Sequence, residues 1–465
     1  MADELNTPTH RWYQRRYNIA LSPNEVSPKW ILAAGIAKIN AWIASLAGYA
    51  VNGFDPALVF DFKGNYFRKG ATDSTFAASI THARASSATM VNSSGTLVTV
   101  GNNVPRTGHH IYNGSSWVNE GILHESEART NLLTYSSDFT NAAWAKTNLT
   151  ATANQATGPD GTVSATEVGI TSIPQNSYGI NSTASTTGTI SYFAKQNTER
   201  FLLIVRETYA SGDWAIFDLS NGTVTKSPTY SGSTAHVVPM GNGWYRCVLQ
   251  SAQASTVNAF SISGSGTDNT TSTSGTVYLW GAQLELGSTP SSYIPTTSAT
   301  VTRAAETLTV PAANLPYDST NMSIQMDGKM NYADRGLTRE VQFVEWLADS
   351  NNGIEQFACS STGFFPNGAV TFFQEAAATA SLKVTPAATL PFGANVPFNI
   401  SSRHGSTFIN GAVGGTALTA DTTPTALPNL SSTNLNLGQA FMGTIGEFRM
   451  WSDDLGDAGI AEAST

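Results

Sequence analysis

ISYFAKQ (Ile190 to Gln196), FLLIVRE (Phe201 to Glu207), WAIFDLSNGTV (Trp214 to Val224), GWYRCVLQSAQ (Gly243 to Gln253) and VYLWGAQLEL (Val277 to Leu286) decide the fold. Around them apolar and polar side chains alternate at the two-residue period of β-strands. DLSNG (Asp218 to Gly222) reads as a hairpin turn, because Asn and Gly accept the positive φ that tight turns need. About eight strands at this spacing suit a jelly-roll sandwich over residues 131–302. Trp144, Trp244 and Trp280 are expected to fill its core.

Working outward, residues 51–130 read as a small β-region of short strands, Leu58 to Phe62 and Ser87 to Val91 among them. HIYNGSSW (His110 to Trp117) is a tight hairpin with aromatics on both arms. On the other side, Pro290 to Thr300 is an extended crossing, after which strand patterning restarts and predicts a second sandwich over 303–465. At the N-terminus, Ser27 to Ala50 is the one strong helix signal, with Ser27-Pro28 as its start and Gly48 as its stop. Leu32, Ile36, Ile39, Ile43 and Leu46 form one apolar stripe along it. Two readings compete: packing on the chain's own β-domain, or bundling with copies of itself in a trimer or pentamer. The favoured reading makes residues 1–50 an arm and oligomerisation or attachment helix. The expected fold is therefore mainly β, with tandem β-sandwiches preceded by an amphipathic helix.

Charged residues are 12% of the 465-residue chain and the net charge is −9. That balance argues against a nucleic-acid groove, which needs a Lys- and Arg-rich face. Arg11, Arg15 and Arg16 are read as part of a solvated tail. The helix, carrying Lys29 and Lys38, is too short for a membrane span. Cys247 and Cys359 are read as buried small hydrophobes. MADELNTPTH has no basic start or apolar run of a secretion signal, so synthesis in a cytoplasm is expected.

Two stretches carry a resemblance. GILHESEARTNLLTYSSDFTNAAW (Gly121 to Trp144) and VYLWGAQLELGSTPSSYIPTTSATVTRAAE (Val277 to Glu306) resemble the entry and exit of a jelly-roll, carbohydrate-binding-like module. That module belongs to bacteriophage, or gene-transfer-agent-like, head-spike, head-fibre and tail-adhesin proteins. FDF (Phe60 to Phe62), ITHARASSATMVNSSGTLVTV (Ile80 to Val100) and VPR (Val104 to Arg106) resemble the small β-region preceding it. His82 and His124 stand where an aromatic and an aliphatic residue are expected. FINGAV (Phe408 to Val413) and GTIGEFRMWSDDL (Gly443 to Leu455) resemble the end of a concanavalin or laminin-G-like sandwich with a short closing helix. The resemblance implies a virion structural protein: a head fibre or spike on the capsid that adheres to host-surface glycans, with partner copies of itself and capsid or tail proteins around it. A tail-fibre or baseplate receptor-binding protein is the alternative.

No nucleophile elbow, zinc-protease helix or phosphate loop is present, and no cofactor or metal is expected. Glu125 and Glu127 are read as surface positions near Arg129, and Asp453, Asp454 and Asp457 as charge at the closing helix. A glycan-degrading enzyme would need paired carboxylates; the nearest pair, Glu340 and Glu345, is oddly spaced and falls on opposite faces of a regular strand. The expectation is a binder rather than an enzyme. Sugar rings stack on aromatics while amide and charged groups fix their hydroxyls. Trp214 with Tyr209 and Arg206, and Tyr178 with Asn176, are the candidate glycan contacts.

Overall fold

The computed structural model describes residues 48–171, 177–268, 272–332, 335, 337–360 and 365–465. It divides into two units, Met1–Pro56 and Ala57–Thr465. The stripe Leu32, Ile36, Ile39, Ile43 and Leu46 lies outside the described residues, as does Asn176. In the first unit, Val51 and Phe54 close a tight antiparallel bridge through backbone bonds of 3.0 and 2.8 Å.

The second unit is mainly β, with antiparallel sheets forming two sandwiches. One is the jelly roll. Its long strands Tyr178–Gln196 and Trp244–Ser263 pair along most of their length, with the register broken near Ser182–Gly188. Past that irregularity the two strands take different neighbours. One end meets Thr276–Glu285 and Thr234–Pro239; the other meets Ala145–Thr147 and Phe201–Arg206, the latter followed by Trp214–Asp218. Between the sheets lie Trp144, Ile190, Tyr192, Leu202, Phe217, Cys247, Phe260 and Leu279. Trp144, Trp244 and Trp280 are 1%, 3% and 5% exposed, and each indole N–H finds an acceptor: Tyr135 O, Thr157 O and Ser164 Oγ. The DLSNG turn forms as read, with Asp218 Oδ1 accepting from Ser220 N at 2.9 Å.

The other sandwich is built from both sides of that module. In one sheet, Met442–Trp451 is flanked by Asn321–Tyr332 on one edge, and on the other by Leu58–Asp61 and Ile122–Glu125 end to end. In the facing sheet, Thr81–Ala83 pairs with Thr307–Val310. The stretch 51–130 thus supplies strands to both sheets of the sandwich that 303–465 otherwise forms. The cause is apolar: Leu58, Phe60, Phe62 and Phe67 share one core with Trp346, Phe372, Phe441 and Phe448. The jelly roll is inserted into this sandwich, and its two ends meet as a short ladder in which Arg129 faces Arg303 and Asn131 faces Val301. Helix Gly456–Ala463 closes the chain, burying Ile460. Both cysteines are buried and unbridged.

The first half of the crossing at Pro290 to Thr300 is a largely buried strap, while residues 297–300 are exposed. Tyr293 and Ile294 are 2% and 3% exposed, and Tyr293 packs on Trp280 with ring centres 4.7 Å apart.

Candidate functional site

The sequence stretches that carry the resemblance form the junction where the insert leaves and rejoins its host sandwich. Asn131 is fully buried there with every polar atom used. Its Nδ2 donates to Ala282 O and Ile294 O at 3.0 and 2.9 Å, and its Oδ1 accepts from Leu133 N and Leu284 N at 3.1 Å each. Beside it lies a charge cluster without solvent. Glu306 accepts from Arg84 Nη1 at 2.5 Å and from Arg106 Nε and Nη2 at 3.0 and 2.7 Å. It also accepts from the backbone N–H of Glu125 at 2.8 Å. Arg106 Nη2 reaches on to Glu125 Oε2 at 2.8 Å, and Ser292 donates twice more to that carboxylate, at 2.7 and 2.6 Å. Arg303 Nε stands 3.1 Å from Glu125 as a charge contact out of line for a hydrogen bond, while its Nη1 and Nη2 donate to Glu125 O and Glu127 O.

Glu125 is therefore not a surface residue: at 2% exposed it is clamped by Arg106, Arg303 and Ser292. Burial alone would raise its pKa, but Arg303 and Arg106 reverse that and hold it at about 2. The same logic holds Glu306 well below the carboxylate range. Glu127 does pair with Arg129, at 2.7 Å, and also with Arg335 at 2.9 Å. His82 and His124 each lie 3.8 Å from Glu306, and His124 Nε2–H donates to Gly438 O at 3.0 Å. The cluster fixes domain geometry; no atom of Glu306, Arg84 or Arg106 is open to a ligand.

Trp214, Arg206 and Tyr178 lie elsewhere, on the sheet containing Phe201–Arg206. One face of that sheet turns Leu202, Ile204 and Phe217 into the core. The other face carries a second apolar cluster, Leu203, Val205, Ile216 and Ala259, with Ile180, Phe201, Trp214 and Val257 packed half-buried against it. Trp214 is opposite Val205, Val205 opposite Ala259, and Ala259 opposite Ile180, a single row across four strands. Tyr178 stands two residues before Ile180 on the same strand, so it shares this face. Three strand spacings, roughly 14 Å, separate Trp214 from the Ile180 strand. Lys226 Nζ sits 5.8 Å over the Trp214 ring.

Arg206 does not join them. It follows Val205 and so points to the opposite face, where it is fully buried and donates to Asn258 Oδ1 and Thr186 O. Tyr209 begins a short 3-10 turn, Tyr209–Ser211, and its side chain lies outside the described part. The structure thus brings together Trp214 and Tyr178 and removes Arg206 from the set.

The remaining acidic candidates are engaged. Glu340 is 2% exposed and bonded by Arg335 and Ser360. Glu345 faces Glu355 across two strands, and Glu355 is held by Arg339 at 3.0 and 2.7 Å. Asp454 and Asp457 both pair with Arg403 at 2.9 Å, Asp457 in the first turn of the closing helix. Among the described residues no group of three or more His, Cys, Asp or Glu could hold a metal. None of their helices is long and apolar enough to cross a membrane.

No protein-family model matches the sequence, and no curated protein matches it. Solved structures with partial likeness include carbohydrate-binding modules, sialidases and a domain of an arabinanase. The Ruminococcus gnavus IT-sialidase CBM40 bound to α2,6 sialyllactose is 14% identical, over 31% of this chain and 84% of that one, at a TM-score of 0.25. Domain 4 of AbnA, an extracellular arabinanase of Geobacillus stearothermophilus in complex with arabinotriose, is 11% identical, over 39% and 84%, at 0.27. The leech intramolecular trans-sialidase is 15% identical over 31% of this chain at 0.25, and the alignment spans only 23% of that enzyme. TM-scores of this size assign neither fold nor function; the sandwich architecture rests on the strand pairing above.

Proposed function

We propose that this chain is a structural protein of a bacteriophage particle, a head fibre or spike, whose inserted sandwich adheres to host-surface glycans without turning them over. Residues 1–50 mount it on the capsid as a trimer or pentamer, and the second unit carries the adhesive surface. The resemblance of Gly121–Trp144 and Val277–Glu306 supports the particle assignment. The observation that carries the adhesive part is the shared outer face of Trp214 and Tyr178. Two aromatic side chains on one face, three strands and two residues apart over an apolar floor, suit the C–H faces of a short run of sugar rings. Several copies per spike then raise weak single-site binding to useful avidity.

The test is binding of the full chain to an array of bacterial surface polysaccharides. Trp214→Ala is expected to weaken retention tenfold or more, because a stacking contact of about 1 kcal/mol per site is multiplied over the copies. Retention equal to wild type would remove the adhesive role from this face.

A further inference from the structure

A cleft of about 870 Å³ lies between the two sandwiches. One wall is the jelly-roll strand Thr234–Pro239 and another is the segment Phe392–Asn395 of the host sandwich, with the HIYNGSSW hairpin between them. A smaller recess of about 120 Å³ adjoins it, sharing Ile111, Tyr112, Val238, Pro239, Ala394 and Asn395. The size is that of a site for a small ligand.

Two features of its lining point to an occupant. Aromatic pairs stand at two places: Tyr112 with Trp117, ring centres 5.2 Å apart, and Phe392 with Tyr332, 4.8 Å apart. Phe392 is 41% exposed there, beside the buried Tyr332. The second feature is a set of buried polar atoms without partners. His236, which lines the larger space, and Arg246 and Thr444, which line the smaller, each carry one buried polar atom that makes no hydrogen bond: Nε2, Nη2 and Oγ1. Such groups cost about 1–3 kcal/mol each unless something satisfies them.

We propose that this cleft is a second binding site, separate from the Trp214 face, for an uncharged oligosaccharide. Ring stacking needs the aromatics, and hydroxyls, which both donate and accept, suit the polar side chains His236, Gln250 and Asn395 that line the larger space. The cations of the lining stand beside acidic side chains, which selects against an acidic sugar. Lys329 is paired with Glu120 at 2.5 Å, and Arg246 lies in the field of Glu285 and Glu125. Burial and the nearby Arg246 hold the His236 pKa at about 4, so the imidazole is neutral at pH 7.

The experiment is calorimetric titration of the full chain with maltotetraose, cellotetraose and laminaritetraose, beside tetragalacturonate as the acidic probe. At least one neutral probe is expected to bind. Phe392→Ala should weaken it tenfold or more, and Ala394→Trp, which fills the shared wall, should abolish it. Both sites are half-buried or exposed, so the fold tolerates these changes. All titrations are run in the Trp214→Ala background, which removes the adhesive face, so that binding read there belongs to the cleft and its failure is distinct from failure of that face. No binding by any neutral probe, tighter binding of tetragalacturonate, or binding unchanged in both cleft variants would overturn the assignment and leave a cleft that holds only water.

Discussion

Glu306→Ala is expected to cost about 3–5 kcal/mol, the range for removing one partner from a buried ion pair. The carboxylate takes four hydrogen bonds, from Arg84, twice from Arg106 and from the Glu125 backbone. Without it, Arg84 and Arg106, both fully buried, keep charges that water cannot reach. At roughly 2–4 °C per kcal/mol for a domain of this size, the melting transition should fall by about 10 °C. Asp457→Ala provides the contrast. Its ion pair with Arg403 is 47% exposed on the aspartate side, and exposed pairs are worth at most about 1 kcal/mol. Scanning calorimetry of the two variants should separate them clearly. A shift below about 2 °C for Glu306→Ala would mean that the cluster is not what holds the junction.

The second large effect concerns how the chain can be cut. Residues 303–465 alone are expected to be insoluble or unfolded. They lack Leu58–Asp61 and Ile122–Glu125, the partners of Met442–Trp451, and Thr81–Ala83, the partner of Thr307–Val310. They also lack Leu58, Phe60, Phe62 and Phe67, each at most 2% exposed in the intact chain. At roughly 1.5–3 kcal/mol for each buried side chain, their loss amounts to about 6–12 kcal/mol, which is comparable with the whole stability of a typical domain. Residues 57–129 joined to 303–465 through a short Gly/Ser linker should restore folding, since Arg129 and Arg303 are neighbours across a two-stranded ladder. The insert, 129–303, has its own core and should fold by itself. Circular dichroism and heteronuclear NMR of the three pieces check this. A well-dispersed spectrum from 303–465 alone would contradict the shared sandwich.

Local chemistry was legible in the sequence because it depends on near neighbours. The HIYNGSSW hairpin forms with Tyr112 opposite Trp117, and Asn113 Oδ1 accepts from Ser115 N and Ser116 N in its turn. What could not be read was pairing between distant segments. Nothing in the alternation of LVFD shows that Leu58 faces Met450, since period fixes a face but not a partner. Buried charge was equally hidden. Glu and Arg are seldom fully buried unless paired, so Glu125 reads as surface until Arg106 and Arg303 are seen around it. Strands that hold Arg and Glu in a chain only 12% charged were the available signal. Arg206 illustrates a third gap: it sits at a strand end, as binding residues often do, but parity with Leu202 and Ile204 turns it inward.

The proposed place of this protein is the surface of a phage particle. Its most direct test is density-gradient fractionation of a lysate that produces the particles, with immunogold electron microscopy of the particle fraction using antibody against residues 57–465. The protein is expected to sediment with the particles and to carry label on their exterior. Recovery only among free soluble proteins, with unlabelled particles, would contradict it.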